Sequence, residues 1–358
     1  MVLPAFGGQV RDARLERVQS SPYFDGRRFR NAVPTSLAVP TLNLAWQYMA
    51  GAEERVPRER LPIVERPELV PGRGEPLEIT WLGHSSVLID IDGYTVLTDP
   101  VFGPRSGPVS WAGPKRFHPV PIAPESLPHL DAILVSHDHY DHLDYGTVQK
   151  LAKRETTWIT ALGVGAHLEA WGVRPEQIVE LDWWHDHDVR GLQVVATPAR
   201  HFQGRGPGAT AATFWCGWAI RGPRHSVFFS GDTGPWDEGF AEIGARFGGF
   251  DLSMIEIGAW HPSWGSIHLG PENALRVHQL VRARTMMPVH WGTFQLALHA
   301  WDQPICHLLE LAERAGTELL SPMMGETVHR EAGVHAYWHE RRKRAEAAQE
   351  TRLITART

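Results

Sequence analysis

A chain of 358 residues, 42% apolar and 21% charged with a formal charge of −6, is long enough to bury a large core in one domain or two and too apolar to be disordered. It carries no basic excess, which excludes a surface built to track nucleic-acid phosphates. The two cysteines, Cys216 and Cys306, are too few for a disulfide scaffold and lack metal-binding spacing, so both read as buried thiols.

The N-terminus "MVLPAFGGQVRDARLERVQS" has neither the basic start nor the apolar segment of a secretory signal. Uncharged stretches such as Gly206–Ile220 and Thr285–Trp301 fall short of the roughly 18 residues of a membrane span. The expectation is a cytoplasmic protein with no transmembrane segment. Fifteen tryptophans are read chiefly as core, and they leave peripheral contact with the inner face of a membrane open. The sequence does not address the oligomeric state.

Residues 1–74, rich in Pro, Arg and Glu, predict an arm wrapping the main body, with a short helix over Asn43–Ala50. The texture changes at Leu77, where "LEITWLGHSSVLIDIDGYTVLTDP" predicts three strands with Asp92-Gly93 as a hairpin turn. Residues 103–129 read as a long loop and "DAILVS" as a short buried strand. Helices are expected over Gly146–Arg154, Val164–Trp171, Pro271–Ala283 and Cys306–Ala315. Strands are expected at "TWITA", "QIVEL", "LQVVATPA", "TAATFWCGWAI", "HSVFFSGD" and "LSMIEIG". Strands with interspersed helices predict two packed sheets with helices outside, over a main domain of residues 75–335. Residues 336–358 predict a charged, solvated helical tail.

The chemistry concentrates after "DAILVS", where "SHDHYDH" places His137, His139, Asp141 and His142 at a strand end. Neutral imidazole nitrogens and a charge-neutralising carboxylate suit zinc or another first-row divalent ion, Fe and Mn among them. Further donors recur at later strand ends: His201 after "VVATPAR", Asp232 after "SVFFSG" and His290 in "MMPVHWGTF". Asp138 and Tyr140 alternate with the donors and are assigned to packing and local hydrogen bonding.

With these residues in view, the region from Leu77 to Val328 resembles the metallo-beta-lactamase superfamily. "TWLGHSSVLI", "TPARHFQGR", "SGDTG", "IGAWHPSW", "IHLGPENAL" and "VHWGTF" look like the branch containing N-acyl-phosphatidylethanolamine-hydrolysing phospholipase D and its bacterial relatives. The resemblance implies an α/β fold, a four-layer αββα sandwich. It implies two divalent ions, zinc first: His137, His139 and His201 on one, Asp141, His142 and His290 on the other, and Asp232 between them. Cations about 3.5 to 4 Å apart lower the pKa of a shared water and stabilise oxygen charge, so a bridging hydroxide becomes the nucleophile.

On that reading Asp141, Asp232 and His268 form the catalytic set, His268 holding a phosphoryl oxygen or handling a proton. His84 is expected to support a ligand rather than bind metal. Trp260, Trp264, Trp291 and Phe294 are candidates for an apolar entrance. The leading expectation is hydrolysis of a phosphodiester, phospholipids included. Lactone, amide or other acyl hydrolysis on the same site is the alternative, and a non-catalytic metal- or lipid-binding protein a distant third. "WWHDHD" (183–188) lacks the following D-H and reads as a polar inter-strand loop; "GRGPG" lacks a dinucleotide fingerprint; "GHSSV" lacks the second glycine of a serine-hydrolase elbow.

Overall fold

The computed structural model describes residues 3–35, 54–67, 69, 77–205, 212–261, 264 and 266–355, the side chains of 348–355 excepted. The helix expected over Asn43–Ala50 lies outside the described residues. So does most of Asn31–Ala52, an uncharged run longer than either stretch weighed above and interrupted by Pro34 and Pro40. No helix among the described residues is long and apolar enough to cross a membrane.

Two seven-stranded mixed sheets form the body. In the first, β1 (Leu77–Gly83), β2 (Ser86–Ile91) and β3 (Tyr94–Thr98) run as an antiparallel meander; β4 (Ala132–Val135), β5 (Thr157–Ala161) and β6 (Ile178–Leu181) continue it in parallel. The second repeats the plan. Its β7 (Asp186–Val189), β8 (Leu192–Thr197), β9 (Gly217–Arg221) and β10 (Ser226–Phe229) are antiparallel, and β11 (Phe250–Glu256), β12 (Ala283–Val289) and β13 (Glu318–Leu319) are parallel. β14 (Thr327–His329) returns to pair with β1. Parallel strands need crossover connections, and helices supply most of them. α2 (Tyr145–Leu151) and α3 (Gly165–Ala170) serve the first sheet; α4 (Asp237–Phe247), α5 (Gly270–Leu280) and α6 (Gln303–Ala315) serve the second. The layers match the expected αββα sandwich.

The reason the strands form is visible in β4, "AILV", whose four side chains are all buried, as a central strand covered on both faces requires. The Asp92-Gly93 turn has φ of 50° and 92°, the paired left-handed conformation that tight hairpins demand. Helix α4 lacks a matching expectation because Gly239 and Gly244 depress its apparent helix propensity. A Cβ on Gly244 would lie 2.1 Å from the Leu280 carbonyl oxygen, so the glycine lets α4 close on α5. "WWHDHD" is a correction: Asp186 onward is edge strand β7, not loop.

The N-terminal segment packs on this body. Helix α1 (Asp12–Ser20) buries Val18 and delivers Arg14 and Arg17 to the Glu180 carboxylate, at 2.7 and 2.8 Å. At the other end, α7 (Ala336–Thr355) differs from a freely solvated tail. Its Trp338 is fully buried against Trp81 and Trp291, with ring centroids at 6.4 and 4.8 Å.

Candidate metal centre

The donors sit where strands end and the backbone can turn its side chains to one point. β4 runs into His137; the chain reverses at His139, whose carbonyl accepts from His142 N and Leu143 N, and Asp144 caps α2 through Thr147 N at 2.9 Å. Asp144 is thereby a helix cap. Asp232 follows β10 through Gly231, at φ 55°, where a Cβ would meet the Cys216 carbonyl oxygen at 2.7 Å. His84 and His290 adopt left-handed backbone, φ 55° and 64°, an uncommon conformation for such residues. His290 N donates to the His84 carbonyl at 3.2 Å.

All seven expected donors converge. His137 Nε2 and His201 Nε2 lie 2.9 and 3.2 Å from His139 Nδ1, and 3.8 and 3.7 Å from Asp232 Oδ2. On the other side, His290 Nε2 is 3.2 Å from both Asp141 Oδ2 and Asp232 Oδ2, and His142 Nε2 is 3.1 Å from Asp232 Oδ1. Nitrogen donors about 2.0 to 2.1 Å from a tetrahedral ion stand about 3.3 Å apart, the scale of these contacts. His142 Nε2 and Asp232 Oδ1 are buried and, though 3.1 Å apart, are not aligned for a hydrogen bond, the relation of two groups directed at one cation. The residues therefore fit one ion among His137, His139, His201 and Asp232, and a second among His84, Asp141, His142 and His290, with Asp232 3.1 Å from His142 and 3.2 Å from His290.

Electrostatics separates the halves. Burial, then the neighbouring histidines, holds His137 neutral; burial also holds His139 and His201 below the usual histidine range. Burial opposes charge on His142 and His290 too, but Asp232 and Asp141 outweigh it, raising His142 and pushing His290 up to about 10. For Asp232 and Asp141, burial is likewise overcome by adjacent histidines, and both carboxyls stay well below the usual range.

Supporting groups hold the far ring nitrogens. His142 Nδ1 lies 2.6 Å from Asp99 Oδ2, His137 Nδ1 2.9 Å from Ser136 Oγ, and His201 Nδ1 3.0 Å from the Ile267 carbonyl. Ser136 Oγ in turn donates to Asp99 at 2.6 Å. His84 Nε2 is 3.1 Å from Asp141 Oδ2 and also lies within reach of the His142 and His290 donors. Burial lowers His84 to about 3, so its neutral ring can donate to Asp141.

His268 Nδ1 sits 3.0 and 3.2 Å from the two oxygens of buried Glu256, leaving Nε2 as the other ring nitrogen. Burial disfavours its charge and the Glu256 carboxylate favours it, with a net upward shift. The motifs did not single out Asp99 or Glu256. Each is an acid closing an apolar strand run, "VLTD" and "SMIE", and that placement was the available signal.

The aromatic candidates divide. Phe294 edges onto His84 at 5.3 Å, Trp260 stacks on His299 at 4.4 Å, and half-buried Trp264 lies 6.0 Å from His261. Trp291 lines the cleft beside His290 together with Phe294, and it is also largely buried. Its indole packs between Trp81 and Trp338 and donates to the Pro288 carbonyl, which holds it from the core side. Among the described residues, one cleft beside the donors includes Phe29, Asn31, His201 and Phe202 in its lining, and another includes His290, Trp291, Phe294 and His299.

Two packed sheets with clustered imidazole and carboxylate groups at their strand ends define the class, an αββα sandwich with a candidate metal centre. A profile described as the beta-lactamase superfamily domain matches residues 94–291. Uncharacterized protein Rv0906 of Mycobacterium tuberculosis is 41% identical over 90% of this chain and 88% of its own. The chain belongs to the beta-lactamase superfamily. N-acyl-phosphatidylethanolamine-hydrolyzing phospholipase D 1 of Caenorhabditis elegans is 39% identical over 61% of this chain, which spans 64% of that relative. The crystal structure of isothiocyanate hydrolase from Delia radicum gut bacteria is similar in fold, with a TM-score of 0.57 at 21% identity over 70% of this chain and 98% of that one.

Proposed function

We propose that the protein is a dinuclear metal-dependent phosphodiesterase with phospholipids among its substrates. His137, His139 and His201 hold one divalent ion, Asp141, His142 and His290 the other, and Asp232 belongs to both. The single observation that carries this reading is Asp232, whose Oδ2 lies between the two donor groups, 3.2 Å from His290 on one side and 3.8 and 3.7 Å from His137 and His201 on the other, while Oδ1 lies 3.1 Å from His142. When bound, two such cations supply a water of lowered pKa and compensate charge on attacked and departing oxygens. The nitrogen and oxygen donors suit zinc first, with iron and manganese also accommodated.

His268 supplies the phosphate-directed element. Glu256 fixes its Nδ1 edge, which orients Nε2 to donate to a phosphoryl oxygen. His84 orients Asp141 from the opposite side. Phe294, Trp260 and Trp264 offer apolar surface to an acyl chain. The similarity to an N-acyl-phosphatidylethanolamine-hydrolyzing phospholipase D supports a phosphodiester over an acyl bond.

The test compares zinc-loaded wild type with His139→Ala across matched phospholipid, small phosphodiester and lactone panels. The variant is expected to lose at least one ion per chain and nearly all turnover of the phosphodiesters. Unchanged stoichiometry and activity would sink the metal assignment, and a fully loaded enzyme that opens only lactones would sink the phosphodiester.

A further inference from the structure

The N-terminal segment does more than cover the sandwich. Asn31 brackets His201 with both ends of its amide: Nδ2 donates to the His201 carbonyl at 2.7 Å, and Oδ1 accepts from His201 N at 3.0 Å. The buried Trp215 indole donates to the same Oδ1 at 3.2 Å and to the Ala199 carbonyl at 3.1 Å, fixing the amide between two segments. Flanking residues repeat the attachment. Arg200 reaches the Pro34 carbonyl and Thr35 Oγ1, the latter at 3.2 Å, and Arg205 Nε donates to the Ala5 carbonyl at 2.7 Å.

From the opposite side the same loop is held by the two non-donor residues of "HDHYD". Gly204 N donates to Asp138 Oδ1 at 3.2 Å, Tyr140 O–H donates to the Arg205 carbonyl at 2.7 Å, and Arg205 Nη1 donates to the Asp138 carbonyl at 2.6 Å. Arg205 is fully buried, with its guanidinium 4.3 Å from the Tyr140 ring centroid and 4.8 Å from that of Trp171. Residues 200–205 are thus clamped between the strand-end motif and the N-terminal segment.

His201 is the one donor of the three-histidine group that does not come from the "HDHYDH" turn, so its position depends on that clamp. The other half is fastened from within the sandwich, by Asp99 on His142 and by the His84 carbonyl on His290 N. From this asymmetry we infer that Asn31 is a positioning residue for the three-histidine metal site, and that the N-terminal segment exists partly to complete that site. The inference rests on the metal-site reading above. Asn31 supplies no atom to the donor cluster; it sets the backbone from which His201 projects, and outer partners of a metal ligand commonly change affinity by about 10- to 100-fold.

The full-length chain tests it through zinc affinity, measured by competition with a chromogenic chelator in two backgrounds. His290→Ala disables the second site and leaves the three-histidine site to be titrated; His201→Ala does the reverse. Asn31→Ala is expected to weaken zinc binding by about 10- to 100-fold in the His290→Ala protein and less than about 2-fold in the His201→Ala protein. Equal weakening in both backgrounds, no weakening in either, or weakening confined to His201→Ala overturns the clamp. A wild-type chain that binds no zinc overturns the metal-site reading and the clamp with it. If Asn31→Ala does not fold, as judged by the unfolding transition of the metal-free protein, Asn31→Asp is put through the same comparison. It keeps the acceptor, loses the donor to His201 O, and must show the same selectivity.

Discussion

The two halves of the donor cluster use the same residue types in opposite electrostatic states. Around His137, His139 and His201 the dominant influence is burial, reinforced at His137 by the neighbouring imidazoles, so the rings are already neutral and ready to coordinate. Around Asp141, His142 and His290 the carboxylates win, and without a metal His142 and His290 hold protons against burial. A proton there partly stands in for the cation. The difference teaches that one half is organised chiefly by packing and the other chiefly by charge, so they should respond differently to lost carboxylates, lost outer partners and pH.

The largest expected effect removes the distinction. Asp232→Ala deletes the carboxylate within reach of both groups, and both zinc ions should be lost from a chain that otherwise folds, together with nearly all turnover. Elemental analysis after gel filtration measures this; a variant retaining two ions would show that Asp232 does not link the halves. Asp99→Ala should act on one side more than the other. Asp99 is buried at 2.6 Å from His142 Nδ1, so its loss should weaken zinc at the Asp141, His142 and His290 group by about 10- to 100-fold. Its route to the three-histidine group is longer, through Ser136 to His137. Titrating zinc in the His201→Ala and His290→Ala backgrounds separates the two, and equal losses would argue against sided support.

What sequence could reveal about this arrangement follows from the range of the interactions. The seven donors were legible because four crowd one strand end and the others follow apolar runs. The Asp92-Gly93 hairpin and the strand "TWITA" were legible because their signals are local. Asp99 and Glu256 were not, since a single acid after an apolar run has the same local appearance whether it faces water or a buried histidine. For Trp291 the sequence offers only its place after His290; the fold alone brings Trp81 and Trp338 around its indole. Helix α4 was hidden by Gly239 and Gly244, chosen for close approach rather than propensity. Asn31 is the clearest limit, lying 170 positions from His201 in a segment with no motif of its own.

The most direct readout of the contrast concerns stability. Burial lowers His84 and His118 to about 3, and His278 and His299 to about 4, as it lowers the three-histidine group. Below pH ~6.5 the unfolded chain takes up protons that these buried rings refuse, so stability should fall as pH drops, by about 1.4 kcal/mol per pH unit for each such histidine. His290, raised to about 10, and His142 have the opposite sign. Their stabilisation is fully present below pH ~6.5 and is lost as pH rises through the folded-state values. The metal-free protein should therefore be most stable near pH ~6.5, measured by urea unfolding between about pH 5 and 9. Zinc should flatten the alkaline limb, because His142 and His290 must release their protons to coordinate it. The acid limb should persist, because buried His118 and His278 are not among the donors. An alkaline limb unchanged by zinc would mean that the charged half does not exchange its protons for metal.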